Sequence, residues 1–413
     1  MAMYDKLVKL SRNFLSVKQS PYKRYLLQRN PFTNQLSLIV GQRGVGKTTA
    51  LVQLLLDRAE GDLLSNKILY IQSDHFQVGN LALYEIAEKF VTLGGKWLAL
   101  DEIHKYPKWS SELKSIYDTF PQLSVFASGS SALELYKGSH DLSRRAIQHL
   151  MHGMSFREYL GLKFGLHFPS LTIDEIVKDH ERIVEPIIKA VEERTYKILP
   201  LFQKYLMTGY YPFFHELHDE RLFTMALEQN MHATIESDIP AIYPQLSGTS
   251  LLKMKKLLVF IAQTVPFTPN WKKILSALEV GDERTLKTYF HYLEDGGLIR
   301  TVGKATHKFS RLETPEKVYL NNSNQLFALS TSDTIQKGTV RETFFLSMAS
   351  VAHEVTVPVK GDFVVDSRFL FEIGGKNKTS HQIGSAENGS IVCDDTERGI
   401  GRKIPLWLFG FLY

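Results

Sequence analysis

Along residues 36 to 130 the chain alternates short apolar runs with segments whose leucines and isoleucines recur at helical spacing. Leu36-Ser37-Leu38-Ile39-Val40, Ile68-Leu69-Tyr70-Ile71, Trp97-Leu98-Ala99-Leu100 and Leu123-Ser124-Val125-Phe126-Ala127 each read as a strand buried on both faces. Leu51, Leu54 and Leu55 predict a helix over Ala50 to Arg58, and Leu81 to Phe90 a second, amphipathic one. Residues 1–35 read as a helical lead-in with Leu7, Leu10, Phe14 and Tyr25 as its apolar markers, closed by Arg29-Asn30-Pro31. Strand and helix in alternation predict a parallel α/β sheet.

The pattern then changes twice. From 172 to 235 it is helical, with Ile173, Val177, Val184, Ile187, Ile188 and Val191 on one face. Pro186 is expected to kink or split this helix, and Thr208-Gly209-Tyr210-Tyr211-Pro212 interrupts the pattern before Leu222 to Ser237 resumes it. Tyr210, Tyr211, Phe213 and Phe214 read as packing. Leu251 to Ala262, Trp271 to Leu278 and Asp282 to Leu293 form three helices, the third capped by Asp282. Gly296-Gly297 ends it, and Leu298-Ile299-Arg300 starts a strand. From 315 onward short strands dominate: Val318-Tyr319-Leu320, Phe363-Val364-Val365 and Phe369 to Ile373, with a helix over Arg341 to Val351. Pro405 to Leu412 is apolar, as a buried final segment or a partner surface would be.

Composition narrows the class. The 413 residues are 44% hydrophobic and 23% charged, an ordinary globular balance for two to four domains. The single cysteine, Cys393, excludes an intrachain disulfide and any multi-cysteine zinc site, and suits a reducing cytoplasm. Met1-Ala2-Met3-Tyr4-Asp5-Lys6 lacks the apolar core of a secretory signal, and no apolar run approaches the ~20 residues that span a bilayer. A cytoplasmic protein without a membrane partner is expected.

The chemistry concentrates after the first strand. Gly41-Gln42-Arg43-Gly44-Val45-Gly46-Lys47-Thr48-Thr49 fits the phosphate-binding loop G-x-x-x-x-G-K-[ST], between a strand and a helix as that motif requires. Glycines let successive backbone N–H groups turn inward, and the helix N-terminus adds its positive dipole end. Lys47 is placed for the β- and γ-phosphates of ATP and Thr48 for Mg²⁺. Asp101 and Glu102 end a buried strand, where open α/β sheets carry their ligand crevice. Asp101 is the second candidate metal ligand, and Glu102 the group that orients or deprotonates the attacking water. Ser128, with Ser130 second, is the candidate γ-phosphate sensor. Of Arg144 and Arg145, one is expected to neutralise charge developing during phosphoryl transfer, in cis or from a neighbouring subunit of a homo-oligomer. No guanine-reading Asn-Lys-x-Asp motif is present.

Two further constellations are weaker. Three helices followed by Gly-Gly and a strand resemble a winged helix-turn-helix, with Arg284, Lys287, Thr288 and His291 as outward-facing candidate contacts to duplex DNA. The window 250–310 carries ten basic residues against five acidic ones, a surplus equal to the +5 of the whole chain. Glu342, Asp362, Glu372 and Lys376 resemble the site of a restriction-endonuclease-like core, in which carboxylates collect Mg²⁺ and a lysine activates water. Glu372 and Lys376 are farther apart than Glu-x-Lys, so the Gly374-Gly375 pair must loop to return the lysine. A fold that binds without cleaving is as consistent with this spacing as a nuclease.

The loop, Leu100-Asp101-Glu102-Ile103-His104-Lys105 with Trp109, Ser128-Gly129-Ser130-Ser131 and Met154-Ser155-Phe156-Arg157-Glu158-Tyr159-Leu160 together resemble the bacterial and archaeal ATP-binding proteins of the AAA superfamily with a C-terminal domain of obscure function. The likeness covers most of the chain and is specific over 36–160. It implies that the Ser-Phe-x-Glu-[Tyr/Phe] stretch follows the functional arginine at fixed spacing, which selects Arg145, and that a helical lid follows the core. The expected architecture is an α/β P-loop NTPase core with its lead-in (1–160), a helical lid (161–248), a winged helix (249–312) and a restriction-endonuclease-like α/β domain (313–413). The expected activity is Mg²⁺-dependent ATP hydrolysis coupled to work on DNA. The alternative is a slow nucleotide-operated switch that docks a protein partner.

Overall fold

The structure is a computed structural model and describes residues 2–76, 78, 81–129, 142, 144–217, 219–264, 269–304, 315–330, 335–379 and 388–413. The chain divides into two units: residues up to Gly153 with Ser237–Pro244, and Met154–Glu236 with Gln245–Tyr413. No described helix is long and apolar enough to cross a membrane.

The first unit is built on five parallel strands, β1 (Leu36–Val40), β2 (Ile68–Gln72), β3 (Trp97–Asp101), β4 (Ser124–Gly129) and β5 (Ala146–Leu150), ordered β2-β3-β4-β1-β5. The α/β P-loop fold expected from the sequence is therefore present. All five residues of β1 are buried, as strands covered on both faces must be. Because β4 lies between β1 and β3, the loop after β1 and the acids ending β3 flank the tip of β4. The lead-in forms two helices, α1 (Ala2–Val17) and α2 (Tyr25–Arg29). In α1 Phe14 stacks on Tyr70 at 4.3 Å, and the Ser11 hydroxyl accepts the Tyr70 backbone N–H. Leu10 differs from its expected role: it stays 39% exposed on the outer face of α1, while Leu7 and Leu15 are buried.

In the second unit Ser155 begins α6 (Phe156–Phe164, numbered after α3 Lys47–Arg58, α4 Leu83–Thr92 and α5 Trp109–Thr119) with a full capping box to Glu158. The next helix, Ile173–Glu192, continues through Pro186 and does not split. Its buried stripe, including Ile176, Val184, Ile187, Ile188 and Val191, outweighs the ~3 kcal/mol cost of an interior proline. Tyr210 and Tyr211 are buried in packing, as read from the sequence. Helices Gly248–Gln263, Trp271–Leu278 and Glu283–Asp295 follow, and Asp282 caps the last through the Thr285 N–H at 2.8 Å. β6 (Ile299–Val302) pairs antiparallel with β7 (Lys317–Leu320). That hairpin spans the boundary expected at 312, because the two strands satisfy one another's backbone groups.

The remaining strands, β8 (Val355–Thr356), β9 (Phe363–Val365), β10 (Phe369–Gly374), β11 (Gly389–Cys393) and β12 (Lys403–Pro405), form one mixed sheet in that order. β8, β9 and β10 run antiparallel, and β10, β11 and β12 parallel. Sequence periodicity located β9 and β10 but not β11 and β12. Helix Lys337–Ala349 packs on this sheet through Phe345, whose ring lies 5.1 Å from Phe371 and 4.8 Å from Phe409. Leu406–Phe411 is a fully buried 3₁₀ segment, so the apolar end is core within its own unit.

Candidate active site

The loop after β1 turns through Gly44 and Gly46 at φ +79° and +101°, left-handed values that a side chain resists. A Cβ on Gly41 would sit 2.3 Å from the Met151 carbonyl oxygen, so glycine is required there by close approach. Gly46 caps α3, whose first residue is Lys47. Arg24 in the lead-in supports the loop from behind: its buried guanidinium donates to the carbonyls of Val45 (2.6 Å), His152 (2.9 Å) and Gly153 (2.8 Å). Sequence reading missed Arg24, because nothing near it in the chain marks the loop as its partner.

Lys47 is buried and donates to the carbonyls of Gly41 (2.9 Å) and Gln42 (2.8 Å). Burial pushes its ammonium below the usual lysine range, against the opposing pull of Glu102, Asp101 and Asp238. The Thr48 hydroxyl donates to Asp101 Oδ2 at 2.7 Å, and the Tyr70 hydroxyl to the same oxygen at 2.6 Å. Asp101 Oδ1 accepts from the Ser128 hydroxyl and, at 3.1 Å, from the Glu102 N–H. Burial first, then Asp101, holds the Tyr70 phenol far above its ordinary pKa, so Tyr70 is a permanent donor.

One hydroxyl and one carboxylate in contact at a strand tip suit Mg²⁺, which keeps several waters and takes its other ligands from phosphates. The Thr48–Asp101 pair fits that ion. Ser128 reaches the site, but its hydroxyl orients Asp101. Ser130 lies outside the described residues. Glu102 follows β3 at φ +50°, with Oε2 3.4 Å from Lys105 Nζ and 3.7 Å from His104 Nε2. Lys105 is also paired with Asp74 at 2.7 Å. Burial keeps the His104 imidazole below its usual pKa.

Arg43 makes a two-pronged ion pair with Asp238, Nε to Oδ2 at 2.8 Å and Nη2 to Oδ1 at 2.6 Å. Asp238 is 2% exposed and belongs to the Ser237–Pro244 segment of the same unit. Arg145 does not reach the loop. It precedes β5, whose register sets Ala146 beside Leu36 and Leu150 beside Val40, so it lies at the opposite end of the sheet, roughly 15 Å away by strand rise. Its guanidinium there pairs with Asp118 at 2.8 and 3.0 Å. An in-cis role at the phosphates is ruled out by that register.

The other two constellations are altered in the same way. Arg284 is exposed, but Lys287, Thr288 and His291 are only half-exposed. The Lys287 ammonium lies 5.7 Å from the Trp271 ring centroid, Thr288 Oγ1 donates to the Arg284 carbonyl, and His291 contacts Asp295 at 3.1 Å. In the C-terminal sheet Lys376 is exposed, while Lys378 meets the buried Glu372 at 2.5 Å. β10 ends at Gly374, and the turn that follows, closed by the Lys378 N–H on the Gly375 carbonyl at 2.9 Å, leaves Lys376 on its exposed side and returns Lys378. Lys317 of β7 adds contacts to Glu342 at 3.3 Å and Asp362 at 3.8 Å. Glu342 also accepts from Tyr319 at 2.5 Å. Burial first, with Asp362 and Glu342 adding repulsion, raises the Glu372 pKa against the pull of Lys378. The three carboxylates are thus grouped, with a different lysine from the one expected.

Residues 33–160 match the family model described as an AAA domain, and residues 199–333 one described as a domain of unknown function (DUF8612). The first match and the strand order make this part of the chain an AAA-type P-loop ATPase domain that binds nucleotide. The second model runs from within the helical segment through the hairpin of β6 and β7. An uncharacterized protein of Methanocaldococcus jannaschii is 28% identical over 257 residues, 60% of this chain. The chain spans about half (52%) of that relative's length. Similar solved structures include AMPPCP-bound DnaA from Aquifex aeolicus (13% identity, 70% of this chain, 86% of that one, TM-score 0.23). C. elegans PCH-2 (14%, 47% and 58%, TM-score 0.25) and the S. cerevisiae Hsp104–ADP complex (13%, 70% and 40%, TM-score 0.25) are others. At these TM-scores they add nothing to the fold assignment.

Proposed function

We propose that the first unit hydrolyses ATP with Mg²⁺, and that the observation carrying this reading is the Thr48–Asp101 contact with Glu102 next in the chain. The loop amides, the start of α3 and Lys47 bind the phosphates. Thr48 and Asp101 would hold Mg²⁺, which would supply neutralisation of the charge on the phosphates. Tyr70 and Ser128 fix the Asp101 carboxylate. Glu102 receives the proton of the attacking water, with Lys105 and neutral His104 positioning it. Arg145 is left only the role of acting on a neighbouring subunit.

For the output, the sequence favours DNA and the side-chain environment favours a protein. A winged helix over the three-helix segment and its hairpin is supported by element order. Its candidate reading helix, however, has only Arg284 exposed among four candidates, with Lys287 and His291 engaged inside the unit. That favours the reading of a nucleotide-operated switch that docks a protein partner over a DNA-coupled motor. The mixed sheet with its grouped acids supports a restriction-endonuclease-like domain retained for binding.

Steady-state ATP hydrolysis with Mg²⁺, with and without duplex DNA, tests both levels. Turnover that depends on Mg²⁺ and is indifferent to DNA is expected. Stimulation severalfold by DNA would reinstate the motor, and failure to bind or hydrolyse ATP would remove the ATPase reading.

A further inference from the structure

We propose that Arg43 exchanges its buried partner Asp238 for the γ-phosphate of ATP, so that this ion pair is a γ-phosphate-gated latch between the phosphate-binding loop and the Ser237–Pro244 segment. The inference rests on the ATP-binding reading of the loop. Three observations carry it.

First, Arg43 belongs to the phosphate-binding loop itself, four residues before Lys47. Besides Asp238, the charges acting on it are those of Glu102 and Asp74, and Arg43 and Asp238 both act on Lys47. Second, the pair is fork-to-fork, the geometry with which arginine binds phosphate equally well, and Arg43 keeps 25% side-chain exposure. Third, Asp238 has 3% side-chain exposure, so losing its cation is costly and the segment carrying it must register the exchange. That segment is joined at both ends to chain of the second unit, after Glu236 and before Gln245. ADP lacks the competing group and leaves the latch closed. Arg43 thereby takes the position at the nucleotide that Arg145 does not reach, and Asp238 is its positioning residue.

The test is binding of fluorescent ADP and of a fluorescent non-hydrolysable ATP analogue to the full chain and to Asp238→Asn and Arg43→Gln variants. Removing the competing carboxylate in Asp238→Asn should tighten the ATP analogue by about tenfold, one charge-assisted hydrogen bond, with ADP changed less than about twofold. Arg43→Gln should weaken the ATP analogue selectively, and the double variant should match Arg43→Gln alone. A purely structural pair would shift both nucleotides together in both variants, and that result overturns the proposal. If Asp238→Asn does not fold, Arg43→Gln decides alone: selective loss of the ATP analogue supports the latch, and equal loss sinks it. An unaltered chain that binds neither nucleotide removes the ATP reading itself, a failure distinguishable from loss of the latch alone.

Discussion

Carboxylates gather at two sheets of this protein, and the partners they keep differ. At the tip of β3 the hydrogen bonds to Asp101 come from neutral donors, the hydroxyls of Thr48, Tyr70 and Ser128 and one backbone N–H. In the C-terminal sheet the acids contact cations: Glu372 has Lys378, Glu342 and Asp362 share Lys317, and Asp394 has Arg341 at 2.9 Å. Neutral donors fix a carboxylate without cancelling its charge, so the first site still attracts a cation. An ammonium cancels it. The first arrangement is suited to metal and phosphate chemistry, whereas the second is largely neutralised, with three cations on four carboxylates, like a structural ion-pair network.

The largest effect that follows is catalytic. Glu102→Gln keeps size and polarity but removes the proton acceptor, and should lower steady-state ATP hydrolysis by about 10²- to 10³-fold while nucleotide still binds. An unchanged rate would place the base elsewhere and break the comparison at its first term. The largest effect on stability belongs to the other sheet. Lys378→Met leaves Glu372 buried beside two acids and should destabilise the second unit by about 3 kcal/mol in urea unfolding. Lys376→Met should change it by less than about 0.5 kcal/mol, as exposed substitutions do. Equal effects would return Lys376 to the site.

This asymmetry also explains what was legible in the sequence. The phosphate-binding loop is one contiguous stretch whose strand and helix flanks are visible, and Asp101-Glu102 closes an apolar run, so both landed where expected. Arg24, Tyr70 and Asp238 reach the site only through the fold, at long sequence separation, and no local signal marks them. Arg145 was selected by spacing to a motif, which carries no information on which end of β5 it occupies; the register supplies that. Lys376 follows from the Gly374-Gly375 pair as the place where the chain loops; β10 does end at Gly374, but the turn after it exposes Lys376 and brings Lys378, which carries no signal in the sequence, to Glu372. β11 and β12 escaped because Ile391 to Cys393 and Ile404 are too short as runs to show a period.

A smaller effect probes how Asp101 is held. Tyr70→Phe keeps the ring on Phe14 and removes one donor from Oδ2, leaving Thr48 as the remaining hydroxyl there. The first unit should lose about 1.5 kcal/mol, the worth of a hydrogen bond to a charged group. No loss would mean that Asp101 tolerates an unfilled lone pair, and the neutral-donor account of this site would weaken accordingly.

The smallest effect is a difference in slope with pH. Burial lowers the pKa of His104 and His149 in the first unit and of His180 in the second. Above the ordinary imidazole value of about 6.5 these rings are neutral whether folded or not, and contribute no pH dependence. As pH falls below it, the unfolded chain takes up protons that the buried rings refuse, so stability declines with falling pH. Glu372 acts oppositely, since its raised pKa makes the folded state the better proton acceptor and protonation relieves a buried charge. The second unit therefore has one group losing stability and one recovering it, while the first has two losing it. Hydrogen exchange compared at pH 7.5 and 5.5, corrected for intrinsic rates, should show protection falling more in β1, β3 and β4 than in β10 and β11. His104→Gln should flatten the fall in the first unit only. A steeper fall in β10 and β11 would mean that Lys378, and not the burial of Glu372, governs that carboxylate.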